Sequence, residues 1–295
     1  MSKLFGDKQS QTTSEGSVAI QAGGNVNYSG LSYGEVKEIC TDLMKANFPI
    51  LREDARQLSK EYVEDFGKKL FDKMVQENLG KTEEKLKNPD VQAAINSSVL
   101  HVARMTNKSH QDILCELLVE KINEGGDDDN LLINEAIEVT SKISINQIRF
   151  ITFIHLLRNA YPTKKIDGKI VKDDDKNSQF NYLENTIANV IGDEIYPVDV
   201  NFLTSKGLCV SYTGSFKYQN SFPVIMKERT GRNISTFMTE KDITAGDELS
   251  SNFPRLMNVI TKFGFNHVVL LDACLITRLS EIIASAYLRT KGVLK

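Results

Sequence analysis

The chain has 295 residues, 41% apolar and 25% charged, which gives enough length and apolar content for a real core in one or two domains. A formal charge of −3 excludes a general electrostatic grip on nucleic acid or anionic lipid and leaves only local basic patches for that purpose. Apolar runs such as Val268–Leu271 fall far below the roughly 20 residues that span a bilayer, and no apolar signal segment follows Lys3, so no membrane partner is expected.

Residues 1–30 form a leader. The first fifteen are polar, with only Leu4 and Phe5 as sizeable apolar side chains, and read as flexible. In Gly16–Gly30, Val18, Ile20 and Ala22 alternate with Ala19 and Gln21. After Gly23-Gly24, Val26 and Tyr28 alternate with Asn25 and Asn27. Period-2 alternation around a Gly-Gly turn predicts two short strands, a pair too small to be stable without a partner. Uncharged β-branched residues, amides and glycines also suit a stacked β-assembly. Val18, Ile20, Gln21, Gly23, Gly24 and Val26 are therefore the candidate self-association residues, with a flexible linker as the alternative reading.

A helical domain is expected over 31–162. Ser32-Tyr-Gly-Glu35 has the form of a capping box, followed by Val36, Ile39, Cys40, Leu43 and Met44 at helical spacing. From Ile50 to about Leu79, the stripe Leu51, Ala55, Leu58, Tyr62, Phe66, Leu70 and Met74 predicts a rod of about 45 Å, either a bundle spine or a coiled-coil arm, interrupted by Gly67. The spine is preferred. Helices follow over 90–105, 109–123, 130–143 and 144–159, with a solvated loop at 125–129. Ser144-Ile-Asn-Gln147 gives the last helix a capping box, and its apolar residues on all sides place it at the centre of the core.

Residues 163–178 read as an exposed loop and domain boundary, with a small hairpin turning at Asp167-Gly168. A smaller α+β domain is expected over 179–295. It has helices at 180–191 and 198–205, strands over Leu208–Tyr218 and Ser221–Met226, and a helix at 251–263. A hairpin of Asn266–Leu271 with Cys274–Thr277 and a helix at 278–288 complete it. The fold class is thus mainly α: a helical bundle, a winged-helix-like C-terminal part and a flexible leader.

Chemistry-bearing patterns are few. Phosphate-binding glycine loops and a G-x-S-x-G elbow are lacking, and the four histidines are widely spaced. No cofactor or metal is implied. The runs Asp127–Asp129 and Asp173–Asp175 read as solvated charge. Cys40, Cys115, Cys209 and Cys274 form no Cys-x-x-Cys motif and read as reduced, buried thiols of a cytosolic protein. In the winged-helix reading, Arg255 and Lys262 would contact nucleic acid, a thin basic footprint that favours a packing role.

The stretch Gly16–Val26 followed by Gly30-Leu-Ser-Tyr-Gly-Glu-Val-Lys37 resembles the N-terminal signature of an uncharacterised bacterial family, in which a Gln-Ala-Gly leader precedes a long helix. Ile20-Gln-Ala-Gly23 is similar to amyloid-signalling motifs of bacterial and fungal immunity proteins. Leu275–Ala284 resembles the closing segment of abortive-infection-type bacterial domains, with Ser280 where that pattern prefers Gly. The resemblance implies a bacterial cytosolic protein linked to phage defence and acting as a homo-oligomer. It implies no particular activity.

Overall fold

Local side-chain chemistry starts the helical body where the sequence places it. In the computed structural model, which describes residues 32–47, 53–76, 85–123, 127–211, 221–232, 250–265, 271–272 and 274–294, Glu35 N donates to Ser32 Oγ at 3.3 Å. Ser32 N in turn donates to Glu35 Oε2 at 2.7 Å, closing the box that opens α1 (Tyr33–Asn47). Then come α2 (Glu53–Gln76), α3 (Pro89–Val102), α4 (Lys108–Asn123), α5 (Asp127–Thr140) and α6 (Ile145–Arg158). The last has its own box between Ser144 and Gln147.

The 24 residues of α2 make a rod of about 36 Å. Its buried stripe is Val63, Phe66, Gly67, Leu70 and Met74, and it packs on α1, α3 and α4 of the same chain, the bundle-spine arrangement. Leu58, expected in that stripe, is exposed, and Ser59 turns inward to donate to Ala103 O at 2.9 Å. The centre is shared by α4, where Ile113, Leu114, Leu117, Leu118 and Ile122 are fully buried, and α6, apolar on all sides as its sequence requires. Asp127–Asp129 is not a loop. It forms the first turn of α5, where Asp128 and Asp129 carry negative charge at the positive end of the helix dipole.

After α6 the chain forms a hairpin of β1 (Thr163–Ile166) and β2 (Lys169–Lys172), turning at Asp167 (φ 49°) and Gly168 (φ 77°). Two successive positive φ values are what a two-residue hairpin turn requires. A continuous helical segment follows: α7 (Lys176–Asn181), a π turn (Tyr182–Thr186) and α8 (Ile187–Ile191). Next are α9 (Val200–Ser205), β3 (Cys209–Ser211), α10 (Phe222–Thr230), α11 (Pro254–Lys262), β4 (Cys274–Ile276) and α12 (Arg278–Thr290).

This last third corrects three expectations. Phe222–Met226 is helical, not strand: Pro223 fits a helix start, and Asp272 accepts from Phe222 N at 2.7 Å to cap it. Cys274–Ile276 pairs antiparallel with Cys209–Ser211, more than sixty residues earlier. The hairpin partner expected for it lies at 266–270, outside the described residues, and Leu271 sits in a 3-10 turn. Finally, 163–178 separates no second unit. Residues 31–295 form one unit, because α12 returns to pack on α4, α5 and α6. The protein is mainly α.

Candidate functional site

The base of the β1–β2 hairpin, the end of α6, α7 and α10 enclose an open basin of about 260 Å³. Arg158, Lys172, Lys176 and Arg229 line it, against Asp174 and Glu228. Arg229 is the organising side chain. Although buried, it donates from Nε to Gln179 Oε1 at 2.8 Å and from its terminal nitrogens to Leu157 O at 3.0 Å and Ala160 O at 3.1 Å. Leu157 is in the last turn of α6 and Ala160 just beyond its end, where backbone acceptors lack helical partners and a cation is favoured. The guanidinium also lies 4.4 Å from the Tyr161 ring centroid, and the Tyr182 hydroxyl donates to Leu156 O at 3.1 Å. Burial lowers the pKa of Arg229, opposed by Tyr182 and Tyr161.

The other basin cations are held in place. Lys172 sits 3.0 Å from Asp174 and 4.2 Å from the Tyr161 ring centroid, and Lys176 donates to Glu228 O. Arg158 packs over Phe222 at 4.1 Å and stands 3.7 Å from Asp272, whose carboxyl is pushed by burial up to about 6 despite the Phe222 N–H and Arg158. The hairpin itself stands clear of the body. Its residues are exposed except for half-buried Val171. The sequence predicts an exposed loop here with a small hairpin at Asp167-Gly168, and the hairpin is present. Arg229 gave no sequence signal at all.

The predicted site residues fall elsewhere. Val18, Ile20, Gln21, Gly23, Gly24 and Val26 lie outside the described residues. Arg255 is on α11 and donates to Asn185 Oδ1 at 2.8 Å and Asn189 Oδ1 at 2.6 Å. Lys262, at the other end of that helix, donates to Asp193 O at 3.2 Å and Oδ1 at 3.3 Å. Arg255 thus ties α11 to the π turn and α8, and Lys262 ties it to the turn just after α8. The bond is completed by Glu184 of the π turn, whose carboxylate accepts from Arg255 N at 2.8 Å and Leu256 N at 3.2 Å.

Ser97, His101 and Glu138 have the composition of a hydrolytic triad but not its connection. Ser97 Oγ, at 3.3 Å, and Glu138 Oε2, at 3.5 Å, face the same ring nitrogen, Nε2, and Ser97 also donates directly to Glu138. A triad needs the imidazole between nucleophile and acid, one nitrogen for each. The cluster is a polar tie between α3 and α5.

A second cavity of about 300 Å³ between α2, α4 and α12 is lined by an ion-pair chain. Buried Glu116 is 2.5 Å from Lys73 and 3.5 Å from Arg289, which also reaches Glu120. Asp173–Asp175 is structural too. Ser178 and Lys164 hold the Asp173 carboxyl down at about 2, and Asp175 caps α7 through Ser178 N at 2.9 Å. Among the described residues no group of three or more His, Cys, Asp or Glu is placed to hold a metal ion. The four cysteines are buried, with burial raising Cys40 and Cys274 to about 11 and Cys209 to about 12. None of the described helices is long and apolar enough to cross a membrane.

A family model described only as ":-like" matches residues 30–272. The chain belongs to that family. The matched stretch begins at the α1 capping box and includes the hairpin, the basin and α11. It leaves out Gly16–Ser29 and Leu275–Ala284, the stretches that carry the amyloid-motif and abortive-infection resemblances. No curated protein and no solved structure matches the chain.

Proposed function

We propose that the protein is a self-associating cytosolic factor in which residues 16–30 pair with the same segment of other copies and the helical body carries them. The carrying observation is the uncharged, alternating Gly16–Gly30 sequence set immediately before a helix with its own cap. A capped helix needs nothing before it to start, and α1 is anchored through Val36, Cys40 and Met44, so the leader can serve association without being needed to begin the body. Resemblance to immunity motifs at Ile20–Gly23 and to abortive-infection domains at Leu275–Ala284 supports antiphage defence as the setting of this proposed activity, with a homo-oligomer as the acting form.

Replacing Ile20 with Lys and Gln21 with Asp places charge inside the alternating run, which a stacked β-assembly does not tolerate. Light scattering on the full chain should show a smaller particle than the parent, with an unchanged helical circular dichroism spectrum. Equal masses for parent and variant would refute the proposal.

A further inference from the structure

The β1–β2 hairpin concentrates positive charge in a chain that is negative overall. Thr163–Lys172 carries four lysines against one aspartate, whereas the whole chain carries −3. The register assigns these lysines to both faces of the ribbon. Lys165 and Lys172 share one face with Thr163 and Ile170, and Lys164 and Lys169 share the other with Ile166 and Val171. Lys164 and Lys172, near the base, are set by Asp173 at 2.9 Å and Asp174 at 3.0 Å. Lys165 and Lys169, beside the turn, are exposed and form no ion pair among the described residues. Between them Ile170 is 69% and Ile166 49% exposed, a large apolar area for a ten-residue element to leave in water.

We propose that this hairpin is a docking element for double-stranded DNA, entering the major groove with Lys165 and Lys169 on opposite phosphate walls. The major groove, about 12 Å wide, admits a two-stranded ribbon, whose strands lie about 4.8 Å apart before side chains are added. Lysines on both faces suit a partner with negative charge on two sides. Ile166 and Ile170, one on each face beside those lysines, then lie along the groove walls, where apolar contact with thymine methyl groups is available. An anionic membrane fits less well, because it meets the ribbon from one side while Ile166 and Ile170 lie on opposite faces. The surface is distinct from Arg255 and Lys262, which are engaged with Asn185, Asn189 and Asp193. It does not depend on self-association through the leader.

The test uses the full chain and a fluorescent 24-base-pair duplex at 50 and 200 mM salt, with vesicles of phosphatidylcholine and phosphatidylserine as a second probe. The parent should bind the duplex, more weakly at high salt. K165E with K169E should weaken binding at least tenfold at 50 mM salt and flatten the salt dependence by about two phosphate contacts, a change of roughly 1.8 in the log–log slope. Ile170→Ser should weaken binding with the slope unchanged, and Arg255→Ala with Lys262→Ala should leave it unchanged. Both hairpin variants alter exposed side chains, and circular dichroism verifies their fold. Absence of duplex binding at 50 mM salt, equal binding by parent and K165E/K169E, or binding to vesicles in place of the duplex would each overturn the proposal.

Discussion

Replacing Arg229 with Ala should cost about 3–5 kcal/mol. The side chain is 8% exposed and makes three charge-assisted hydrogen bonds, to Gln179 Oε1, Leu157 O and Ala160 O, while stacking on Tyr161. A hydrogen bond to a charged group contributes roughly 1.5–3 kcal/mol, and a buried acceptor left without a partner costs about 1–3 kcal/mol. Three such bonds would sum to more than the figure given, but the basin alongside lets water reach some of the vacated acceptors, and losses within one network do not add. Arg229→Lys keeps the charge but not the fork, so it should recover less than half of the loss. Urea denaturation at pH 7, read from the shift in midpoint at constant slope, measures both variants. Against a total stability of about 5–15 kcal/mol the effect is large. A loss below about 1 kcal/mol for Arg229→Ala, or full recovery in Arg229→Lys, would refute the idea that this guanidinium closes the end of α6.

Two further outcomes are expected. At Gly67 an added Cβ would meet Cys40 Sγ at 3.6 Å and Lys37 Cα at 3.9 Å, ordinary contact distances, so Gly67→Ala should raise stability by about 0.5–1 kcal/mol through helix propensity, while Gly67→Leu should lower it; thermal melts of the pair check this. Asp272 has a folded pKa near 6 against 3.8 unperturbed, so the fold holds its proton more tightly than the unfolded chain does. Its contribution is fully present below pH 4 and is lost as pH rises through 6, a fall of up to about 3 kcal/mol. Asp272→Asn should remove that fall, seen as a smaller stability difference between pH 4 and pH 7 than in the parent. Equal differences in the two proteins would show that Asp272 does not titrate this way.

The sequence by itself determined those parts of the protein whose signals are local. Capping boxes at Ser32 and Ser144 place side chain and backbone partner three residues apart, so α1 and α6 were readable from their first turns. The buried stripe of α4 follows from 3.6-residue periodicity, and the Asp167-Gly168 turn from the two residue types that tolerate positive φ. The leader's candidate role in association is likewise a statement about alternation and composition.

Tertiary structure decided whatever depends on partners remote in the chain. Neither α10 nor α11 has a side-chain cap from its own N-cap residue, Ser221 or Phe253. Their free N–H groups are met by Asp272, fifty residues after Phe222, and by Glu184, about seventy before Arg255. A window of local sequence holds no trace of such a cap, and the apolar run in Ser221–Met226 therefore reads as strand from the sequence alone. For the same reason the sequence favours a packing role for Arg255 and Lys262 but does not show their asparagine and aspartate partners, nor the β3–β4 pairing across the chain. Composition could mark the lysines of Thr163–Lys172 as exposed. Only the strand register, which puts two on each face of a ribbon clear of the body, made them a surface with a shape.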